Sequence, residues 1–186
     1  WTEHRIQSGV VVRQEVFAHQ VGGADVVTGL EPLYAWMRVK VDWVDPMRRP
    51  ENQIVHLRLS RVYYEHDAEC YDPRSSEPSF KIMANPGAAS YRKPLEAVAG
   101  AGGLLILEPD GKVRMGVVSG SDRVSFFKQS EGVYGLSINL KAAVGEYVDV
   151  LVPMMPQNRE DYAAEASMSY EGALAESDRY WSVRPS

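Results

Sequence analysis

The chain has 186 residues, of which 45% are hydrophobic and 24% charged, an ordinary globular make-up with apolar mass for one large domain or two small ones. Its formal net charge is −5, which argues against nucleic acid as a partner, and its basic residues are dispersed, with Arg48-Arg49 and Arg92-Lys93 the only adjacent pairs. No apolar run approaches the roughly 18 residues that cross a bilayer, so no membrane partner is expected, and the single Cys70 excludes an internal disulfide while leaving the compartment open.

Val10 to His19 is rich in β-branched residues and predicts a strand, with Val21-Gly22-Gly23-Ala24-Asp25 as the turn that follows. Leu33 to Val44 carries the clearest alternation. Leu33, Ala35, Met37, Val39, Val41 and Trp43 share one face; Tyr34, Trp36, Arg38, Lys40 and Asp42 share the other. Ile54 to Tyr64 alternates again, placing His56, Arg58 and Tyr64 opposite Val55, Leu57 and Leu59. Residues 67 to 102 form an irregular middle punctuated by Pro73, Pro78, Pro86 and Pro94, with one short strand at Phe80 to Met83. A stretch of that length is usually functional or an excursion around a sheet.

Leu104 to Glu108 and Lys112 to Val118 flank Pro109-Asp110-Gly111, a strong hairpin signal. Val124 to Lys128, Tyr134 to Leu140 and Tyr147 to Val152 continue the meander. The expected fold class is all-β, a two-sheet antiparallel β-sandwich over residues 1–156. Residues 157–186 change character. Asn158 to Trp181 predicts helix, with Ser169 as a cap and Tyr170, Leu174, Ser177 and Trp181 near one face. Gly172 costs about 1 kcal/mol relative to Ala, so this helix depends on packing against a neighbour. Arg184-Pro185 ends it.

Candidate chemistry is sparse. Glu65, Asp67 and Glu69, and Glu108 with Asp110, are local carboxylate clusters of the kind glycosidases use in pairs. A solvated loop explains the first group and a turn explains Asp110. His66 and Cys70 lack the further ligands of a zinc site, and no motif gives Cys70 a base. Gly100-Ala101-Gly102-Gly103 lacks the lysine of a phosphate loop and reads as a flexible lead into Leu104. No metal or cofactor is expected.

The run Val152-Pro153-Met154-Met155-Pro156, followed by Ser169-Tyr170-Glu171-Gly172-Ala173-Leu174-Ala175-Glu176-Ser177-Asp178-Arg179-Tyr180-Trp181, resembles the junction in bacterial glycoside hydrolases with an (α/α)6 barrel. In that type an N-terminal β-supersandwich leads through a helical linker into the barrel. Gly9 to Phe17 and Thr28 to Trp36 also look like the first paired strands of such a sandwich. The resemblance implies a linker at residues 157–186 running toward a following barrel, which would be the chain's partner and would carry the catalytic acids. No residue here would then be catalytic. It implies a non-catalytic accessory domain that supports the barrel's cleft. The alternative is a free-standing carbohydrate-binding module. Aromatic side chains suit the apolar faces of sugars, which makes Tyr34, Trp36 and Tyr64 candidate carbohydrate contacts. Packing against a second domain is the stronger reading of that strip, and Tyr170, Leu174 and Trp181 are candidate interdomain contacts.

Overall fold

A computed structural model describes residues 1–20, 32–48, 50–60, 69–70, 80–81, 94–100, 103–130 and 133–182. The protein is all-β in class, built on two antiparallel sheets that pack face to face. The strands are β1 (Thr2–Arg5), β2 (Val10–Gln20), β3 (Leu33–Val44), β4 (Asn52–Ser60), β5 (Glu69–Cys70), β6 (Phe80–Lys81), β7 (Glu96–Gly100), β8 (Gly103–Leu107), β9 (Val113–Ser119), β10 (Val124–Ser130), β11 (Val133–Lys141) and β12 (Tyr147–Pro153). Two helices follow, α1 (Arg159–Ala166) and α2 (Tyr170–Ser182). The large sheet has the order β1-β2-β3-β12-β9-β8-β7, and a small sheet has the order β10-β11-β4. β5 and β6 pair with each other.

Alternation on the long strands decides which face does what. On β3, Val39 and Val41 point into the inter-sheet core with Val10, Val12, Ile106, Met115, Val117, Val148 and Val150. The small sheet answers with Tyr134, Leu136, Ile138 and Leu140, and Phe126 stacks on Tyr134 at 5.6 Å. Tyr34 and Trp36, on the opposite face of β3, enter a second apolar cluster with Leu105, Leu107, Val113, Leu151, Tyr162, Tyr170 and Ala173. The large sheet is therefore covered on both sides, by the small sheet and by the helices.

The helices arise from local signals. Asn158 caps α1 by accepting from the Asp161 N–H at 2.8 Å, a contact generally worth about 1 kcal/mol. Ser169 caps α2, accepting from Gly172 N–H at 3.0 Å. The helix is interrupted at Ser167-Met168-Ser169, so the single helix expected over 158–181 is two helices. Both pack back on the domain: Tyr162, Glu165, Tyr170, Ala173 and Ser177 are buried.

Two strands carry no pattern that the sequence reveals. β1 is exposed throughout and lies at the sheet edge; β7 occupies the other edge, inside the stretch read as irregular. Gly100 and Gly103 pair directly across β7 and β8. Gly100 and Gly103 thus belong to paired strands, where the sequence suggested a loose lead. Gly103 has φ +139°, and a Cβ there would lie 2.2 Å from the Val117 carbonyl oxygen, so only glycine fits.

Candidate functional site: a buried histidine between carboxylates beside an apolar cleft

The helix-facing side of the large sheet is lined by odd-numbered residues of β2 and even-numbered residues of β3. Their register sets Arg13 opposite Lys40, Glu15 opposite Arg38, Phe17 opposite Trp36 and His19 opposite Tyr34. On the far side of β3, Asp149 pairs with Arg38 and Leu151 with Trp36. A band of charge thus grades into a band of aromatics along one face.

At the charged end, Arg13 bridges Glu3 at 2.8 Å and Asp42 at 2.7 Å, while Lys40 holds Glu15 at 2.8 Å. Arg38 then makes a two-pronged pair with Asp149, Nε to Oδ1 at 2.7 Å and Nη2 to Oδ2 at 2.8 Å. Its third arm donates to Glu171 of α2 at 2.5 Å. The guanidinium lies between the rings of Tyr147, 4.1 Å away, and Tyr170, 3.9 Å away. Burial works against the charge on Arg38, but the bonds to Asp149 and Glu171 outweigh it and its pKa rises. Burial also pushes the Asp149 carboxyl up despite its partner, whereas the more exposed Glu171 is lowered by Arg38. Such a cluster ties α2 to β3 and β12.

The aromatic band begins with Tyr170, edge-on to Phe17 at 5.1 Å and to Trp36 at 6.3 Å. Trp36 is fully buried, and its indole N–H donates to Glu165 Oε1 at 2.6 Å. The same oxygen lies 2.7 Å from His19 Nδ1. On the other side of the ring, His19 Nε2 is 3.3 Å from Glu176 Oε2. Which ring nitrogen donates depends on the tautomer of His19. Glu165 and His19 are both sealed, at 0% and 2% exposure, and among the described residues the second oxygen of Glu165 has no hydrogen-bond partner. Nearby, burial raises the pKa of Tyr34 and of Tyr170 to about 12. Tyr162 is pushed up further, also by burial.

Beyond His19 the interior opens. Ala18, Leu33, Tyr180 and Trp181, with His19 and Glu176, line a cleft of about 230 Å³ where β2 ends, β3 begins and α2 finishes. Ser177, on the same wall, bonds to the Ala18 carbonyl at 3.1 Å. Tyr180 and Trp181 meet edge to face at 5.1 Å.

No protein-family model matches the chain, and no curated protein matches it.

The residues singled out in the sequence fall in three places. Tyr34 and Trp36 lie at 0% exposure beneath the chain's own helices, so neither offers a ring face to a sugar from solvent. Tyr64 lies outside the described residues, as do Glu65, His66 and Asp67. Of the proposed interdomain contacts, Tyr170 is buried within this domain, Leu174 is half-buried against the aromatic cluster, and Trp181 is 63% exposed. Glu108 and Asp110 lie at the hairpin turn between β8 and β9, where Asp110 accepts from the Lys112 N–H at 3.1 Å. Among the described residues no group of three or more His, Cys, Asp or Glu side chains could hold a metal.

Sequence reasoning missed His19 and Glu165 altogether. They are 146 residues apart, and a lone histidine at a strand end is commonplace. One signal was available: in α1, Tyr162 and Glu165 are spaced i, i+3 among alanines, which puts a carboxylate on the only face with a large apolar anchor.

Proposed function

We propose that this chain is a non-catalytic β-sandwich domain of a carbohydrate-active enzyme, holding or shaping the cleft of a neighbouring helical catalytic domain. The observation that carries the reading is the sorting of its aromatics. Tyr34, Trp36 and Tyr170 are enclosed, while Trp181, at the end of α2, is left largely exposed beside Tyr180. A large apolar ring on an otherwise polar helix end suits a contact with another surface. The ionisable groups on the helix-facing side support the same view. Arg13, Glu15, Arg38, Lys40, Asp149 and Glu171 are engaged in ion pairs that join strands and helices, and Glu165 is closed off from any substrate.

The alternative, a free-standing module with a Trp36 platform, loses support because that platform lies under α1 and α2. The test is the length and behaviour of the natural polypeptide. A downstream helix-rich domain of several hundred residues is expected, with glycoside hydrolase activity that this chain by itself lacks. In that polypeptide Trp181→Ala should lower the melting temperature or split one unfolding transition into two. A natural chain ending at Ser186, or a Trp181→Ala protein indistinguishable from the parent, would overturn the proposal.

A further inference from the structure

We infer that the cleft between β2, β3 and α2 binds a small organic cation, an ammonium group carried on a single-ring or short aliphatic body. Size sets the first limit. A cavity of about 150 Å³ lined by apolar side chains accepts benzene, so the 230 Å³ here holds one ring with a short chain attached. Leu33, Tyr180 and Trp181 supply the apolar walls.

Charge sets the second limit. Glu165 and Glu176 flank one imidazole, and the sharing is unequal. Glu165 takes His19 at 2.7 Å and Trp36 at 2.6 Å, whereas His19 reaches Glu176 only at 3.3 Å. Strong charge-assisted contacts between nitrogen and a carboxylate fall nearer 2.7–2.9 Å. Among the described residues His19 is the one side-chain partner of Glu176, whose side chain is 37% exposed and lines the cleft. Glu176 is therefore the more loosely held carboxylate of the row, and it is the one that lines the open space. A cation entering there meets a carboxylate and two aromatic rings set at 88° to each other, and ring faces attract cations within about 6 Å. An uncharged sugar would find one strong acceptor and mostly carbon.

This inference stands apart from the accessory-domain reading and needs no second domain. The experiment is calorimetric titration of the 186-residue chain with phenethylammonium and with 2-phenylethanol, an uncharged counterpart of similar size. Saturable binding of the ammonium is expected, about tenfold tighter than the alcohol, the effect of roughly one charged hydrogen bond. Glu176→Gln should weaken the ammonium about tenfold and leave the alcohol unchanged. Trp181→Ala, at an exposed position, should weaken both. Equal affinity for the two probes in the unaltered chain would sink the inference without recourse to any variant. So would the absence of saturation at tens of millimolar ammonium (a very weak site by any measure), or indifference of ammonium binding to Glu176→Gln.

Discussion

Replacing Trp36 by alanine separates the two roles this residue has been given. Its side chain is fully buried, with Tyr170 edge-on at 6.3 Å and Leu151 in register on β12. Removing a buried tryptophan costs about 3–5 kcal/mol through lost transfer energy and the cavity left behind. The substitution also takes away the 2.6 Å donor to Glu165, a carboxylate at 0% exposure. Depriving a buried acceptor of its partner costs a further ~1–3 kcal/mol. The expected loss is thus roughly 4–8 kcal/mol, against a total stability of about 5–15 kcal/mol for a domain. At about 2–4 °C per kcal/mol for a chain of this length, the melting temperature should fall by roughly 10–30 °C. Thermal unfolding followed by circular dichroism measures it. Trp36→Phe keeps most of the ring and removes the N–H, so it should cost only about 1–3 kcal/mol. A Trp36→Ala protein that melts within about 2 °C of the parent would contradict the buried placement, since exposed substitutions generally stay within about 0.5 kcal/mol.

Two further outcomes follow from the same face. Arg38→Ala leaves Asp149 at 3% exposure with its two-pronged partner gone, which should cost about 3–5 kcal/mol; Arg38→Lys should recover only part of that in urea titrations, because an ammonium cannot make both bonds while lying flat between Tyr147 and Tyr170. Spectroscopic titration, with Tyr→Phe variants to assign each phenol, should show Tyr34 and Tyr170 delayed to about 12 and Tyr162 held later still. The folded chain keeps phenol protons that the unfolded chain gives up near pH 10. Stability from these residues is therefore complete below pH 10 and lost as pH rises toward 12; ionisation of these three phenols near 10 while the fold persists would refute the burial.

Much of the fold was legible in the sequence wherever a strand alternates. Leu33–Val44 shows both faces in its letters because each faces a different surrounding, and the observed strand has those bounds. The Pro109-Asp110-Gly111 turn is equally local: Gly111, with φ +83°, donates to the Glu108 carbonyl at 2.8 Å, and Asp110 accepts from Lys112 N–H at 3.1 Å. Edge strands escaped notice because an edge needs no apolar face, as the wholly exposed β1 shows. The candidate site was hardly legible. Tyr34 and Trp36 stood out, yet sequence alone did not say what would cover them, and a ring beneath a helix and a ring facing solvent look alike in one strand.

The sequence by itself determined the elements of this protein. Periodicity, turn chemistry and capping act over a few residues, so Leu33–Val44, the Gly111 turn and the Ser169 cap follow from neighbours in the chain. The tertiary structure decided which face each element presents to which partner. Folding α1 and α2 back over β2 and β3 turned an aromatic strip into core, and it brought Glu165 to a histidine 146 residues away. It also left Glu176, Tyr180 and Trp181 around a cleft. Those outcomes depend on contacts between residues far apart in sequence, where the free energy of burial and charge pairing resides and where local pattern carries no information.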